Sequence, residues 1–307
     1  MTALFRPGVY CRGIAMGAAD VVPGVSGGTL ALITGIYEEL IATLGGVRPG
    51  LITIWRRQGF AAFWRAGNFT FLISLLAGIL TSIALLARLI TWFLEHHPVP
   101  VWAFFSGLIA ASIPMILKPL VRRGPSQWAT FLAGTLAAVA ISLAPGLQGA
   151  GAGPLVFFLG GAVAICAMIL PGISGSFILL LLGLYEPVLQ AVRDGQWSLL
   201  AAFAGGCAVG LLSFVHLLKW LLSRYHDTVM ALLGGFMAGS LVKLWPWRIG
   251  DESGLGEHWL TPHQYAQATG EGTQILIAVL AALLGMAVVW LLSLAAPVHN
   301  VAKETTD

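Results

Sequence analysis

A six-residue helix break occurs twice in this chain, as PGVSGG over Pro23–Gly28 and as PGISGS over Pro171–Ser176. Proline lacks the N–H that a continuing helix needs and glycine tolerates dihedrals closed to other residues, so Pro-Gly ends one helix and lets another begin. Ser26 and Ser174 stand where N-caps belong. Both copies continue alike: Gly35, Tyr37 and Glu38 follow the first break as Gly183, Tyr185 and Glu186 follow the second, at a constant separation of 148 residues. The flanks are apolar, and of the 307 residues 58% are hydrophobic and only 9% charged, with a mean hydropathy of +0.87. Such a chain belongs in a bilayer, as a polytopic all-α protein. There a helix break is tolerated only where its unpaired backbone groups are buried in protein or face a wet cavity. A Pro-kinked packing helix is the plainer alternative; duplication of the whole pattern favours a functional device.

Composition excludes several classes. The net charge of +3 makes no case for a nucleic-acid partner. Cys11, Cys166 and Cys207 have no motif spacing, so neither a disulfide framework nor a zinc site is expected. His96 and His97 fall in a loop and His216 near a span end, so no metal site and no cofactor are read. The first twenty residues carry Arg6, Arg12 and Asp20 without an uninterrupted apolar core, and the N-terminus is expected to be retained.

Taken in order, residues 8–44 read as a re-entrant hairpin with legs 8–22 and 26–44, and 46–67 as a basic interfacial or cytoplasmic connection carrying Arg48, Arg56, Arg57 and Arg65. Spans follow at 69–94, 99–118 and 127–144. A loop rich in glycine and alanine, Pro145–Pro154, precedes a second hairpin over 155–192 and spans at 198–222, 228–245 and 273–295. The run Phe104–Ser112 aligns with Leu232–Ser240 and Trp92 with Trp220 at a separation of 128; the basic segment makes up the difference from 148. The expected architecture is therefore two repeats, 1–145 and 154–296, each one hairpin plus three spans, with a tail at 297–307. Three crossings per half invert the second copy, a layout common among secondary transporters. Arg6, Arg12, Arg48–Arg65, Lys118, Arg122, Arg123, Lys219, Arg224 and Lys303 then share one side with both termini. By the positive-inside rule that side is cytoplasmic. Arg193, Arg248 and the acidic loop with Asp251, Glu252, Glu257 and Glu271 lie opposite, and the hairpin tips meet near the midplane.

Helix starts near mid-bilayer offer N–H groups and a positive dipole end, both of which favour an anion, phosphate above all. Ser26, Gly27, Gly28, Ser174, Gly175 and Ser176 are the expected contacts, unless the glycines serve packing alone. The ionisable residues inside apolar segments, Asp20, Glu38, Glu39, Arg88, Glu186 and Lys243, are functional candidates. Asp20 lies close to the first tip, with Met168 in its place in the second repeat; it is assigned to coupling, with capping of the break as the structural alternative. Glu38 and Glu186 are coupling or gating candidates, although a continuous helix from Ser26 would carry Glu38 about 18 Å, beyond the ~15 Å of half a hydrocarbon core. Arg88 and Lys243 fall in the outer half, where they either attract an external phosphate or snorkel.

The run GIAMGAADVVPGVSGGTLALITGIYEELI, together with CAMILPGISGSFILLLLGLYEPVL and GSLVKLWPW, resembles the PopT-type bacterial polyprenyl-phosphate transporters over nearly the whole chain. The resemblance implies an inner-membrane translocase returning undecaprenyl phosphate from the outer to the cytoplasmic leaflet for cell-envelope synthesis. Its coupling ion, a proton or sodium, and its oligomeric state are left open. Membrane-embedded undecaprenyl-pyrophosphate phosphatases share a Pro-Gly-x-Ser-Arg-Ser motif, but Gly27 and Gly175 stand where that motif has arginine, so the cation for a phosphoryl transition state is missing. An enzyme of that kind and a carrier of a small soluble anion are the alternatives. If the topology is right, a cysteine placed near Arg57 is shielded from impermeant thiol reagent in intact cells and one near Glu257 is labelled; labelling of both from outside refutes it.

Overall fold

The computed structural model describes residues 5–22, 25–48, 50–118, 120, 124–144, 153–250 and 257–295. Pro23 and Gly24 of the first break, Arg122, Arg123, the loop 145–152, Asp251, Glu252 and the tail with Lys303 lie outside them. Described residues are overwhelmingly helical. The first hairpin comprises α1 (Pro7–Asp20), α2 (Gly27–Ile33) and α3 (Tyr37–Leu44); α4 (Gly50–Gln58) and α5 (Phe60–Ala66) occupy the basic connection. Then come α6 (Phe69–His96), α7 (Pro98–Leu117) and α8 (Pro125–Leu143). The second hairpin is α9 (Pro154–Ile169), α10 (Gly175–Leu181) and α11 (Tyr185–Arg193), followed by α12 (Trp197–Ser240), α13 (Pro262–Thr269) and α14 (Ile275–Ala295). Proline opens α1, α7, α8, α9 and α13, where its missing N–H is no loss.

Among the described residues five helices, α6, α7, α8, α12 and α14, are long and apolar enough to cross a membrane. With 44 residues, α12 extends about 66 Å, twice a hydrocarbon core. Tyr225 interrupts it with φ −135° and ψ 43°, so its two arms correspond to the expected spans at 198–222 and 228–245. Large apolar side chains such as Leu80, Leu85, Leu276 and Leu284 are exposed on these helices, as a lipid-facing surface requires.

Three details depart from expectation. Neither distal leg is a single helix: Gly35 (φ +73°) and Gly183 (φ +65°) take left-handed conformations, ending α2 and α10 so that α3 and α11 start at Tyr37 and Tyr185. The bend between α10 and α11 is 103°. A straight rise of 1.5 Å per residue from Ser26 to Glu38 therefore does not apply. The all-α reading also misses a small antiparallel hairpin, β1 (Arg248–Gly250) against β2 (Glu257–Trp259), registered Arg248 to Trp259. The adjoining α13 begins at a capping box between Thr261 and Gln264 and ends on left-handed Gly270.

Helix pairing is set by glycines that let backbones touch. Helix α1 packs on α6 and α9 on the first arm of α12, while α7 packs on α14 and α8 on the second arm of α12. The contacts occur in matched pairs. Gly78 faces the Tyr10 carbonyl as Gly206 faces that of Phe158; Gly107 faces Ala282 as Gly235 faces Phe131; Gly134 faces Leu232 as Gly285 faces Phe104. Partners in the two sets are separated by 148 residues in α1 and α9, 128 in α6, α7 and α12, and 151 in α8 and α14. The buried side chains Tyr37, Phe71, Ile109, Val215, Leu233, Met237 and Leu244 form the main core where these pairs meet.

Because a Cβ at Gly206 would enter backbone, whereas one at its neighbour Gly205 comes no nearer than 3.8 Å to anything, Gly206→Ala should destabilise by about 1–3 kcal/mol. Gly205→Ala should not. Thermal unfolding in detergent distinguishes them, and equal midpoints would remove close packing as the reason for Gly206.

Candidate functional site

At the first break, Ser26 is the N-cap of α2 and its hydroxyl oxygen accepts from the Gly28 N–H at 3.1 Å. The Gly27 N–H donates to the Asp20 carboxylate at 2.6 Å, so the last residue of α1 supplies the anion at the start of α2. A Cβ on Gly27 would lie 2.5 Å from that carboxylate. Glycine is needed here for the approach of Asp20, and Asp20 sits where capping requires it. Ser26, Gly27, Gly28 and Thr29 are all buried.

The second break differs in chemistry at the same positions. Ser174 makes no cap hydrogen bond; its hydroxyl meets that of Ser176 at 2.9 Å. A Cβ on Gly175 would meet the Met168 side chain at 3.3 Å, as one on Gly27 meets Asp20. Ser174 and Gly175 are buried and Ser176 is exposed. A small pocket beside this break is lined by Ser142, Ser174, Phe177 and Lys243 among others, and the Lys243 ammonium stands 4.3 Å from the Phe177 ring centroid. Lys243 is thus brought to the break by the segment following α12.

The two breaks touch. Ser26 donates its hydroxyl to the Met168 carbonyl at 3.0 Å, and the Gly172 N–H donates to the Thr29 hydroxyl at 2.9 Å. A Cβ on Gly28 would stand 2.6 Å from the Ile169 carbonyl. Small residues in the first break are therefore a condition of contact with the second. Thr29 was not singled out in the sequence, since its partner lies 143 residues away.

Other candidates lie apart from this centre. Glu38 binds His226 Nε2 at 2.9 Å, tying α3 to the junction between the arms of α12. Glu186 is exposed, with Arg193 at 4.0 Å. Arg88 is exposed on α6 and has no ion pair among the described residues. His226 was not marked in the sequence; Glu39 was, as an ionisable residue in an apolar segment, but not its partners: it pairs with Arg6 at 2.5 Å and accepts from Asn68, which also donates to Thr43. A single histidine at the junction of the two arms of α12 gives no sequence signal for a glutamate 188 residues earlier.

A family model described as "VCA0040-like: Undecaprenyl phosphate translocase-like" matches residues 16–258. The chain is 45% identical over 289 residues to a Vibrio cholerae protein named polyprenyl-phosphate transporter, covering 91% of this chain and 94% of that one. It is 34% identical over 254 residues to a Staphylococcus aureus protein of the same name, covering 76% and 84%. No solved structure matches it significantly.

The hydrogen bond that the His226 imidazole donates to the Glu38 carboxylate, with Asp227 as a second acidic neighbour, raises the pKa of His226 above its ordinary value. With the folded value raised, the stabilisation from this contact is complete below the unfolded value of about 6.5 and is lost as pH rises through the folded one. Glu38→Gln should therefore move the His226 titration, followed by imidazole NMR, back toward the ordinary value; an unmoved midpoint would show that Glu38 does not set it.

Proposed function

Because the chain belongs to the undecaprenyl phosphate translocase-like family, we propose that it carries undecaprenyl phosphate from the outer to the cytoplasmic leaflet of the bacterial inner membrane. The observation that carries the reading is the contact between two helix breaks in a membrane protein, with hydroxyls and close-approach glycines at both and Lys243 beside one. A polyprenyl phosphate has an anionic head to match such a centre and a tail that stays in the bilayer between helices.

The paired glycine contacts and their constant separations support an inverted repeat, each half being one re-entrant hairpin and three spans, with both termini cytoplasmic. In this reading the hairpins enter from opposite faces, and rocking of the halves exposes the centre to one leaflet at a time. Ser174, Gly175 and Ser176 bind the phosphate with help from Lys243. Ser26, Gly27 and Gly28 join them once Asp20 withdraws from the Gly27 N–H, because carboxylate and phosphate compete for one donor and repel one another in a poorly solvated site. A cation removes the conflict: a proton on Asp20, or sodium beside it, travels with the phosphate and leaves on the cytoplasmic side. Glu38 and Glu186 act in gating at the hairpin elbows, and Arg88 attracts lipid phosphate at the outer surface.

Hydrolysis is the competing reading, and neither break carries the arginine that would stabilise a phosphoryl transition state. Purified protein should release no inorganic phosphate from undecaprenyl pyrophosphate. In reconstituted vesicles, a leaflet-resolved assay of undecaprenyl phosphate should show movement accelerated by an imposed pH or sodium gradient. Asp20→Asn keeps an acceptor for Gly27 but carries no charge, and should lower the gradient-driven rate roughly tenfold or more, about 1.4 kcal/mol in barrier. An unchanged gradient response in Asp20→Asn would leave Asp20 as a cap alone.

A further inference from the structure

The basic connection between the first hairpin and α6 has no counterpart in the second half, where residues 194–196 alone join α11 to α12. Its two helices, α4 and α5, pack on one another, and α5 packs on the start of α6. Between residues 46 and 67 there is no acidic residue, but there are four arginines, Arg48, Arg56, Arg57 and Arg65. All four are exposed, and none makes an ion pair among the described residues. Arg65 Nε donates only to the Ala61 carbonyl of its own helix, at 3.3 Å.

Each helix is two-sided. At about 100° per residue, Ile54, Leu51, Trp55 and Ile52 of α4 share an arc of roughly 160°, with Gln58 among them. Arg56 and Arg57 flank that arc on either side, with Thr53 between them. In α5, Phe60, Phe63 and Trp64 share one side and Arg65 lies away from it. The apolar sides meet in an aromatic cluster: the Phe63 ring centroid is 5.7 Å from that of Trp55 and 4.8 Å from that of Phe69, and Phe60 is 5.5 Å from Trp64. Mutual packing does not cover the cluster, because Ile52, Trp55 and Phe60 stay more than half exposed. An exposed apolar patch rimmed by charge marks a surface that something else covers.

Attachment to α6 sets the level of this patch. With 28 residues α6 is about 42 Å long and outruns a hydrocarbon core of about 30 Å, so its first turn stands at the membrane–water boundary. The Trp64 indole N–H donates to the Thr70 hydroxyl of that turn at 2.9 Å. Asn68, in a left-handed conformation at φ +49°, turns the chain from α5 into α6, and its amide donates to Glu39 and Thr43. The pair is thus held to α6 and α3 at the boundary. Aromatic side chains on one side and arginines at its edges are the composition of helices that lie in the interfacial plane.

We propose that α4 and α5 form a binding surface for the acidic phospholipids of the leaflet at which α6 begins, with Ile52, Trp55 and Phe60 entering the acyl boundary and the four arginines holding headgroup phosphates. In the topology proposed above this leaflet is the cytoplasmic one. Charge complementarity selects the occupant, since guanidinium groups without an acidic partner match phosphate in charge and in planar geometry. The helices are about 14 Å and 10 Å long, so their arginines address several headgroups instead of the single phosphate of a transported lipid. A soluble acidic partner would match the arginines and leave the aromatic side chains without a role. The surface does not depend on what the chain transports.

The test uses the full chain in phosphatidylcholine vesicles carrying a minor fraction of phosphatidylglycerol with a diazirine at the top of one acyl chain, or the same fraction of phosphatidylcholine so modified. After photolysis, peptide mass spectrometry should find the acidic probe on Ile52, Trp55 or Phe60 in preference to the zwitterionic one, with lipid-facing Leu80 and Leu276 as the reference for both. One arginine near a charged surface is worth about fivefold in affinity, so Arg56→Gln combined with Arg57→Gln should cut labelling by the acidic probe roughly tenfold or more. Arg56→Lys combined with Arg57→Lys should keep it. High salt, which screens exposed charges, should lower the acidic preference of the wild-type chain without any substitution. Equal labelling by the two probes overturns the proposal and leaves a hydrophobic anchor. Label at Leu80 with none on Ile52, Trp55 or Phe60 overturns it in favour of a soluble partner. Displacement of the acidic probe by undecaprenyl phosphate, at a fraction where unlabelled phosphatidylglycerol does not compete, overturns it in favour of the transported lipid.

Discussion

Two hydrogen bonds between the helix breaks, from Ser26 to the Met168 carbonyl and from Gly172 to Thr29, are the contacts on which the rest of the structure depends. In hydrocarbon an unpaired peptide group costs several kcal/mol, so a helix cannot stop mid-membrane unless something takes up its freed donors and acceptors. Here hydroxyls at the first break take up two backbone groups at the second, the Met168 carbonyl and the Gly172 N–H, while the Gly27 and Gly28 N–H groups go to Asp20 and Ser26. Met168 and Gly172, which flank the end of α9, would lose these partners if α2 withdrew, and the buried hydroxyls of Ser26 and Thr29 would lose theirs. The glycines follow from the same requirement: Gly28 allows α2 to reach the Ile169 carbonyl, and Gly13, Gly78, Gly161 and Gly206 hold α1 and α9 against the long helices that deliver the breaks to one place.

The two halves agree in backbone and disagree in chemistry. Matched glycines reproduce the helix approaches, yet Asp20 stands beside Gly27 where Met168 stands beside Gly175. Tyr37 is buried while Tyr185 is exposed, and Lys243 attends only the second break. A symmetric pair of sites would hold an anion equally from both sides. This pair does not: at the first break the protein's own carboxylate occupies the Gly27 donor, and at the second Ser174 and Ser176 bind one another beside an ammonium. The matched helix approaches thus carry different side chains at the two breaks.

Much of this was legible in the sequence because its strongest signals are local and repeated. The duplicated Pro-Gly-x-Ser-Gly pattern marked both breaks, and the separations of 148 and 128 residues read from the sequence recur among the glycine contacts, whereas the 151 of α8 and α14 does not appear in it. Apolar length located the long helices, and α12, at 44 residues, exceeds one crossing. Gly35 and Gly183 were also visible, but hydropathy continues unbroken across them, and only their positive φ reveals that α2 and α10 stop there. The strands beside Trp247 and Trp259 have three residues each, too few for an alternating pattern to register. Long-range pairs such as Glu38 with His226, Arg6 with Glu39, and Ser26 with Met168 carry no spacing signal, because each joins segments brought together only by the packing of other helices.

The placement of Asp20 joins the structural and functional readings instead of forcing a choice between them. A carboxylate that caps Gly27 stabilises the start of α2 through a charge-assisted hydrogen bond, and it is effective because the site is shielded from water. The same shielding makes a second anion intolerable while the carboxylate is charged, since Coulomb repulsion at such distances is many times stronger there than in bulk water. A phosphate that takes the Gly27 N–H must therefore find Asp20 neutralised or withdrawn. Withdrawal alone would leave a charged group at the end of α1 without its donor, whereas neutralisation leaves a side chain that still hydrogen-bonds. Under the proposed coupling, capping is the resting state of Asp20, and its neutralisation precedes any sharing of a phosphate between the two breaks.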